Sequence, residues 1–341
     1  MNVRRVGELG LIRRIRAAVA GAEEPGVIIG IGDDAAVLAL GPGAALLATT
    51  DLVVEDVHFR RAFASPRDIG WKAVAVNLSD IAAMGGRPRW ALVGLAIPAS
   101  TEVDEVEAFY EGMREAAAPH NVAIVGGDTS ESPRGWFVSV TVLGEHTGTP
   151  RLRSAARPGD VVAVTGTVGR SAAGLAVLES GVERVRAAGI DAEAVEELRR
   201  AHLRPTARGA EGRWLGEAAG VHAMMDCSDG IATDLGHICR ESGVGARVSI
   251  DRLPVAEAAR EAARTLGRDP IEWAAAGGED YELLLTCDPA SAGALAAGLR
   301  AATETALTVI GEIDGSGTGI IWVGPNGRPV EIRPGYEHFS G

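Results

Sequence analysis

The segment SPRDIGWKAVAVNLSDIAAMGGRP, residues 65–88, predicts a helix whose two ends are marked in the sequence. Ser65 can cap the helix N-terminus, and Pro66 fits the first helical position. The glycines that follow Met84 can end the helix. An apolar run at 90–97 comes next and is typical of a strand. This order indicates that helices and strands share one domain.

Further strand-like and helical runs lie on both sides of this segment. Short apolar runs at 44–48, 121–125 and 136–143 indicate strands, and helical spacing of apolar residues covers 101–118. Apolar residues between 9 and 19 also recur at helical spacing, which predicts an opening amphipathic helix. The N-terminal part of the chain is therefore expected to contain both strands and helices.

A polar segment, GEHTGTPRLRSAARPGD at residues 144–160, separates two sets of such runs. It is rich in Gly and Pro and lacks periodicity, which is typical of a domain boundary. We therefore expect an N-terminal domain at 1–148 and a C-terminal domain at 149–341. The second set predicts mixed α/β layers, with strands at 161–165, 222–226, 245–250, 281–287 and 306–310 and helices at 170–187, 207–219, 229–241, 255–266 and 289–301.

The composition limits the classes of partner. The chain has 341 residues, enough for two domains of ordinary size. Its 33 basic and 46 acidic residues give a net charge of −13, and no stretch gathers the arginines, so we expect no nucleic-acid partner. No apolar run reaches the roughly 20 residues of a membrane span. Cys227, Cys239 and Cys287 are far apart, which favours buried thiols in a reducing, cytoplasmic compartment.

Aspartates recur beside Gly, Ser or Thr, mostly where apolar runs end. Any one of them is more easily explained as a helix cap. Together they would repel one another unless cations bridged them, and hard cations such as Mg²⁺ prefer oxygen ligands. Because Mg²⁺ also binds substrate phosphates, the group predicts a multi-metal site for phosphoryl transfer. These aspartates are Asp33, Asp34, Asp51, Asp80, Asp128, Asp226 and Asp229.

Two glycine-rich segments match nucleotide-binding patterns incompletely. GIGDDA, residues 30–35, fits the dinucleotide pattern but places two carboxylates where a pyrophosphate would bind. TGTVGRSAAG, residues 165–174, lacks the lysine of a phosphate loop, and Lys72 is the single lysine of the chain. Neither segment predicts a phosphate site by itself.

Six motifs and a terminal GYEHF occur in an order that is specific to one family. They are GIGDDAAVL, TTDLVVEDVHF, AVNLSDIAAMGGRP, GGDTS, MMDCSDG and GGEDYELLLT. With them, residues 7–339 resemble the thiamine-monophosphate kinase family of the aminoimidazole ribonucleotide synthetase-like superfamily. The resemblance implies an α+β N-terminal domain whose sheet pairs with that of a second subunit, and an α/β C-terminal domain that closes over the nucleotide.

The resemblance also implies a reaction. The γ-phosphoryl group of ATP would be transferred directly onto thiamine monophosphate, giving thiamine diphosphate, with several Mg²⁺ ions between the phosphates. Because the second pKa of such an acceptor phosphate is about 6, it is already an anionic nucleophile at pH 7 and needs no general base. Catalysis then consists of alignment and charge neutralisation.

Roles for individual residues follow from the matched motif positions. The implied metal ligands are Asp33 or Asp34, Thr49, Thr50, Asp51, Asp80, Asp128, Asp226 and Asp229, of which Asp51, Asp80 and Asp226 are also the candidate catalytic residues. The implied nucleotide contacts are Tyr110, Gly127, Asp128, Arg153 and Ser228. The implied substrate contacts are His58, Glu279 and Tyr336, with Phe339 as the alternative to Tyr336 and Asp280 as a helix or turn cap.

Two other functions remain open at this point. The first is a sister activity on the same scaffold, such as selenophosphate or aminoimidazole ribonucleotide synthesis or hydrogenase maturation. The selenophosphate enzyme should carry a reactive Cys near its N-terminus and the maturation protein a Cys at its C-terminus, whereas residues 1–226 contain no Cys and the tail reads HFSG. The second is a nucleotide-binding regulator without turnover, against which the intact acidic set argues.

Overall fold

The computed structural model describes residues 14–15, 17–18, 27–29, 37–38, 40–315, 317 and 319–336. Most of the predicted opening helix therefore lies outside the described residues. The chain forms two compact units. The first contains Met1–Ile81 and Gly86–Thr149, and the second contains Ala82–Gly85 and Pro150–Gly341.

The first unit is built on a four-stranded sheet. Its strands are β3 (Ala45–Val54), β4 (Arg87–Ile97), β5 (Ala123–Glu131) and β6 (Phe137–His146), in the order β3-β6-β4-β5. Only the β4–β5 pair within this sheet is parallel. Two short strands, β1 (Val27–Ile29) and β2 (Val37–Leu38), form a separate antiparallel pair. Strand β3 is longer than predicted because every residue from Ala45 to Val54 has a partner on β6.

Helices α1 (Pro66–Ala83) and α2 (Val103–Ala117) accompany this sheet. They approach each other through glycines. A Cβ atom at Gly70 would lie 1.9 Å from the carbonyl oxygen of Phe109, and one at Gly112 would lie 1.9 Å from that of Arg67. Since a real Cβ never comes so near, this helix pair requires glycine at both positions. Helix α1 begins at Pro66, as the sequence predicts.

The second unit is built on a seven-stranded sheet in the order β13-β12-β9-β11-β7-β10-β8. Its strands are β7 (Val161–Thr165), β8 (Val221–Asp226), β9 (Gly245–Ser249), β10 (Leu283–Cys287), β11 (Leu307–Asp314), β12 (Ile320–Val323) and β13 (Pro329–Val330). Its helices are α3 (Arg170–Ser180), α4 (Val182–Ala187), α5 (Ala192–Leu203), α6 (Gly209–Glu217), α7 (Ile231–Ser242), α8 (Glu257–Leu266), α9 (Pro270–Ala276) and α10 (Pro289–Thr303).

Both faces of this sheet are covered. On β10, Leu284 packs into one apolar cluster, whereas Leu283 and Leu285 pack into another. Alternate residues of a strand point to opposite faces, so the two clusters lie on opposite sides of the sheet. Helices α3, α5, α7 and α8 contribute to the first cluster, and α6 and α10 to the second. These layers confirm the predicted mixed α/β fold.

Several elements differ from the sequence predictions. The helix predicted at 170–187 is two helices, because Gly181 takes a left-handed φ of 87° between them. Helices α5 and α9 and strands β12 and β13 were not predicted. Helix α5 buries a narrow stripe that includes Val195, Leu198 and Leu203, and charged residues cover the remainder, which weakens its periodic signal. Among the described residues, no helix is long and apolar enough to cross a membrane.

Candidate functional site

In the first unit, β3 and α1 bring two carboxylates and a hydroxyl together. The Thr49 hydroxyl donates a hydrogen bond to Asp80 Oδ2. Asp51 lies two residues beyond Thr49 and so shares its face of β3. Burial, the charge of Asp80 and a side-chain hydrogen bond with Asp80 raise the pKa of Asp51 from 3.8 to about 6. Two crowded carboxylates of this kind favour a bound cation or a shared proton.

Thr50 and Asp128 are held elsewhere on the same sheet. The Thr50 hydroxyl donates to the carbonyl oxygen of Val140 at 3.2 Å and accepts from Thr141 Oγ1 at 3.0 Å, on the face opposite Thr49. Asp128 is exposed on β5, where it pairs with Gly94 of β4. The contacts therefore join Thr49, Asp51 and Asp80, and they do not place the Thr50 side chain in that group.

The nucleotide residues predicted in this unit have distinct environments. Gly127 has a φ of 155°, and a Cβ there would lie 1.9 Å from the carbonyl oxygen of Val93, so the backbone requires glycine. Tyr110 is buried on α2, with its ring edge-on to Phe109 at 5.2 Å between centroids. Burial raises the pKa of Tyr110 above its usual range. The phenol of Tyr110 therefore remains neutral inside the core.

His58 lies in the turn after β3, and its ring orientation is fixed locally. Its Nδ1 accepts a hydrogen bond from the backbone N–H of Val54 at 3.1 Å, which leaves the proton of the neutral ring on Nε2. Lys72 of α1 donates to the His58 carbonyl oxygen at 3.2 Å and is 3% exposed. Sequence reasoning left Lys72 without a role, although its being the single lysine was a signal.

In the second unit, three distant segments meet at the loop after β8. Cys227 N donates to the Glu282 carbonyl oxygen at 2.8 Å, and Glu279 N donates to that of Ser228 at 2.7 Å. Tyr336 N donates to the Asp229 carbonyl oxygen at 3.1 Å. The loop that carries Asp226, Ser228 and Asp229 is thus joined to the segments that carry Glu279 and Tyr336.

Glycines permit this close approach. A Cβ at Gly278 would lie 2.5 Å from the Ser228 carbonyl oxygen, and one at Gly335 would lie 1.9 Å from that of Asp229. The same region also holds non-glycine residues in the left-handed region, with φ of 66° at Glu279 and 51° at Tyr281. Backbone strain of this kind is often found at functional sites.

A further aspartate, Asp234, extends the acidic group and was missed from the sequence. It lies in the first turn of α7, it is 1% exposed, and its Oδ2 accepts from the backbone N–H of Asp229 at 3.2 Å. Burial and the charges of Asp226 and Asp229 raise its pKa well above the usual range, whereas Arg153 opposes that shift. Its Oδ1 is buried without a hydrogen-bond partner among the described residues.

The acidic groups suit a hard cation. Their donor atoms are carboxylate and hydroxyl oxygens, which are the ligands that Mg²⁺ takes together with waters and substrate phosphates. The buried Oδ1 of Asp234 beside Asp226 and Asp229 is a second sign of missing positive charge. Within the described part of the chain, no three His, Cys, Asp or Glu residues are close enough to enclose a metal by themselves. Asp33 and Asp34 lie outside the described residues, as does Phe339.

Asp280 caps helix α3. Its carboxylate accepts hydrogen bonds from the backbone N–H groups of Gly169 and Ser171, the latter at 3.0 Å. The cap that the sequence suggested is therefore confirmed. Because these N–H groups belong to the TGTVGRSAAG segment, the protein itself fills the position that a phosphate would need. Burial raises the pKa of Asp280 to about 7, although these hydrogen bonds and Arg170 act in the opposite direction.

Glu282, two residues after Asp280, accepts hydrogen bonds from two arginines and a threonine. It is fully buried and accepts from Arg208 Nε at 2.7 Å, Arg170 at 3.1 Å and Thr165 Oγ1 at 2.7 Å. A second hydrogen bond from Arg208 makes that pair bidentate. Sequence reasoning missed Glu282 because it lies next to the apolar run of β10, which gives no sign of the two arginines from other elements.

Two family models match most of the chain. Residues 32–146 match the family described as AIR synthase related protein, N-terminal domain, and residues 157–324 match its C-terminal domain counterpart. The thiamine-monophosphate kinase of Mycobacterium tuberculosis (strain CDC 1551 / Oshkosh) is 41% identical over 286 residues, which are 83% of this chain and 81% of that protein. The chain therefore belongs to the thiamine-monophosphate kinase family, as the sequence motifs predicted.

Two solved structures agree with this placement. The crystal structure of thiamine-monophosphate kinase from Stenotrophomonas maltophilia K279a is 38% identical, with a TM-score of 0.80 over 94% of this chain and 96% of that one. AaThiL complexed with AMPPCP and TMP is 33% identical, with a TM-score of 0.75 and 99% of both chains covered. The predicted two-domain fold is thereby confirmed.

Proposed function

We propose that this protein transfers the γ-phosphoryl group of ATP to the phosphate of thiamine monophosphate, yielding thiamine diphosphate and ADP. The observation that carries the proposal is the presence of the acidic groups, Asp51 with Asp80 and Asp226 with Asp229, in a chain of this family. A phosphate oxygen of thiamine monophosphate attacks the γ-phosphorus. The bond from that phosphorus to the bridging oxygen of the β-phosphate breaks, and ADP leaves.

Mg²⁺ ions belong to this proposal as resident cations. Thr49, Asp51 and Asp80 would hold them in the first unit, together with Asp128 and with Asp33 or Asp34. The Thr50 side chain is left out of this set, because its hydroxyl is bonded on the opposite face of β3. Asp226 and Asp229 would hold them in the second unit. When bound, Mg²⁺ neutralises phosphate charge and orients the reacting groups. Asp51, Asp80 and Asp226 are the ligands on which the rate should depend most, and none of them acts as a general base.

The organic parts of both substrates require other contacts. We assign Tyr110, Gly127, Asp128, Arg153 and Ser228 to the nucleotide. The Val93 backbone explains why residue 127 is glycine, so the nucleotide assignment of Gly127 rests on its motif position. The proximity of Arg153 to the acidic group supports an anion contact there. Since Tyr110 is buried in its own unit, its contribution would be to support neighbouring contacts.

His58, Glu279 and Tyr336 are assigned to thiamine monophosphate. The fixed tautomer of His58 directs an N–H donor from Nε2. A carboxylate at residue 279 suits the cationic thiazolium or the aminopyrimidine. Tyr336 has its backbone tied to Asp229 and half of its surface exposed, which supports stacking on a thiamine ring. Phe339 remains the alternative for this stacking contact.

We further propose a cytoplasmic homodimer. One face of the first unit's sheet exposes Leu46, Leu52 and Phe137 by 52%, 62% and 43%. Register places all three on the same face, and an apolar face of this kind supports pairing with a second copy. Leu52→Arg should convert a dimer to monomers in light scattering, and a wild-type monomer would refute this assembly. The buried free thiols of Cys227, Cys239 and Cys287 support a reducing compartment.

A direct assay tests the activity. Purified protein is mixed with ATP, Mg²⁺ and thiamine monophosphate, and thiamine diphosphate is measured with and without a chelator. We expect product only when free Mg²⁺ is present. Asp51→Asn and Asp226→Asn should each lower kcat by orders of magnitude, whereas Asp251→Asn, which changes an exposed carboxylate of the second unit, should leave it unchanged. Wild-type protein that forms no product under any metal condition would favour a sister activity or a regulator.

A further inference from the structure

A buried histidine contacts the candidate substrate carboxylate. His202 lies near the end of α5 and is 4% exposed. Its Nδ1 is 3.3 Å from Glu279 Oε2 and 3.0 Å from Ser171 Oγ. The Glu279 side chain is about one quarter exposed, so it joins a buried layer to the accessible site. Neither His202 nor Ser171 is among the residues that the sequence assigns to substrate, nucleotide or metal.

The backbone of Glu279 is fixed on both sides. Its own N–H donates to the Ser228 carbonyl oxygen, and the carboxylate of the next residue, Asp280, caps α3. The left-handed φ of 66° at Glu279 then sets the direction in which its side chain leaves the loop. What remains adjustable is the rotamer of the side chain, and the contact with His202 acts on that rotamer.

The donor and acceptor atoms of Glu279, His202 and Ser171 determine the form of this contact. An ionised Glu279 can only accept, so the His202 tautomer that can bind it is the one with its hydrogen on Nδ1. The Ser171 hydroxyl oxygen, on the second residue of α3, lies within reach of the same hydrogen. Ser171 Oγ and Glu279 Oε2 therefore confine the imidazole from two elements. The contact with His202 therefore sets the orientation that the Glu279 carboxylate presents to the site.

We propose that His202, supported by Ser171, is a positioning residue that holds Glu279 for recognition of the cationic thiamine portion of the substrate. The proposal rests on the proposed function, since it concerns affinity for thiamine monophosphate. His202 reaches the substrate through Glu279 and takes no part in the transfer step. It therefore affects the Michaelis constant for thiamine monophosphate more than kcat or the Michaelis constant for ATP.

Variants of His202 separate a positioning role from packing. His202→Asn keeps an N–H donor near the position of Nδ1, whereas His202→Leu removes it and His202→Gln moves it away while keeping bulk and polarity. Loss of a hydrogen bond to a charged group corresponds to roughly ten- to a hundredfold. We expect the Leu and Gln variants to raise KM for thiamine monophosphate by about tenfold or more. His202→Asn should restore most of the affinity, and KM for ATP should stay within about twofold of wild type in all three.

A matched control and a second background make the test specific. His222 Nδ1 lies 2.8 Å from Asp160 Oδ1, near the start of β8. The site residue Asp226 is at the other end of this strand. His222→Asn therefore controls for the loss of a histidine–carboxylate pair elsewhere in the same unit. It should leave both Michaelis constants unchanged. In a Glu279→Gln background, His202→Gln should cause no further loss, because the carboxylate that it positions is gone.

Calorimetric binding of thiamine monophosphate keeps the two proposals distinguishable. A wild type that binds the ligand but forms no product overturns the kinase activity alone, and the His202 variants then test positioning through Kd. An unchanged Kd in His202→Gln, or equal losses for ATP and thiamine monophosphate with a lowered melting temperature, overturns the positioning role. A wild type that does not bind thiamine monophosphate overturns both. If His202→Leu does not fold, the Asn and Gln pair still decides the question.

Discussion

Replacement of Asp51 by asparagine should stabilise the metal-free protein at neutral pH while it removes activity. In the folded chain, burial and Asp80 raise the pKa of Asp51 from 3.8 to about 6. The folded state therefore binds this proton more tightly than the unfolded state does. The contribution of Asp51 to stability is most favourable below about pH 4, it falls as the pH rises towards 6, and it is constant above that.

The magnitude follows from the two pKa values. At about 1.36 kcal/mol per pH unit, the difference between 3.8 and about 6 corresponds to a loss of roughly 3 kcal/mol above pH 7. Asparagine has nearly the shape of the protonated acid and does not ionise. The advantage of Asp51→Asn over wild type should therefore be near zero at pH 4 and grow to about 2–3 kcal/mol by pH 7.5. The burial and carboxylate repulsion that raise the pKa of Asp51 are what a cation bound at the proposed site would offset.

Urea denaturation with a chelator, at pH 4 and pH 7.5, measures this difference. The Asp251→Asn variant, which removes an exposed carboxylate of the second unit, serves as the control. Addition of Mg²⁺ at pH 7.5 should narrow the gap, because a bound cation compensates the wild-type charge. A variant that is equally or less stable than wild type at pH 7.5, or a gap that widens with Mg²⁺, would refute the reasoning.

Three other substitutions test separate parts of the structure. Gly112→Ala should destabilise the first unit by at least 1–3 kcal/mol in thermal or urea unfolding, because the new methyl would meet the Arg67 carbonyl oxygen; an unchanged unfolding midpoint would contradict that helix contact. Glu282→Gln should destabilise the second unit by roughly 3–5 kcal/mol, since it removes the carboxylate that Arg208 and Arg170 share and leaves Glu211 as the other carboxylate paired with Arg208. A loss below about 1 kcal/mol would show that the network is solvated. For Asp280→Asn, the free energy of unfolding that is lost relative to wild type should be largest near pH 4 and smaller by pH 8. The reason is that the raised pKa of Asp280, about 7, makes wild type lose stability between those pH values, whereas asparagine does not ionise. A difference in unfolding free energy that does not change with pH would argue against it.

The TTD segment shows why part of the site could be predicted and part could not. The resemblance implies metal-ligand roles for Thr49, Thr50 and Asp51 in this segment, and for Asp80 in a later one. The predicted strand ended at residue 48, so Thr49 and Thr50 were treated alike. In the structure, β3 continues to Val54, and its alternation places the two hydroxyls on opposite faces. The pairing with β6 that extends the strand is a contact between residues about 90 positions apart, and no local pattern reports it.

The sequence alone was sufficient for the family, the two-domain organisation, the core strands and the acidic loops, because these depend on local periodicity, turn residues and motif order. The tertiary structure was needed for the environments of Asp234, Glu282, Lys72 and His202. Each of these side chains is buried by elements distant in the chain, and burial beside particular charges is what turns an ordinary residue into a cap, an anchor or a positioning group. A one-dimensional pattern records which residues are available, whereas their electrostatic roles are fixed only when packing excludes water around them.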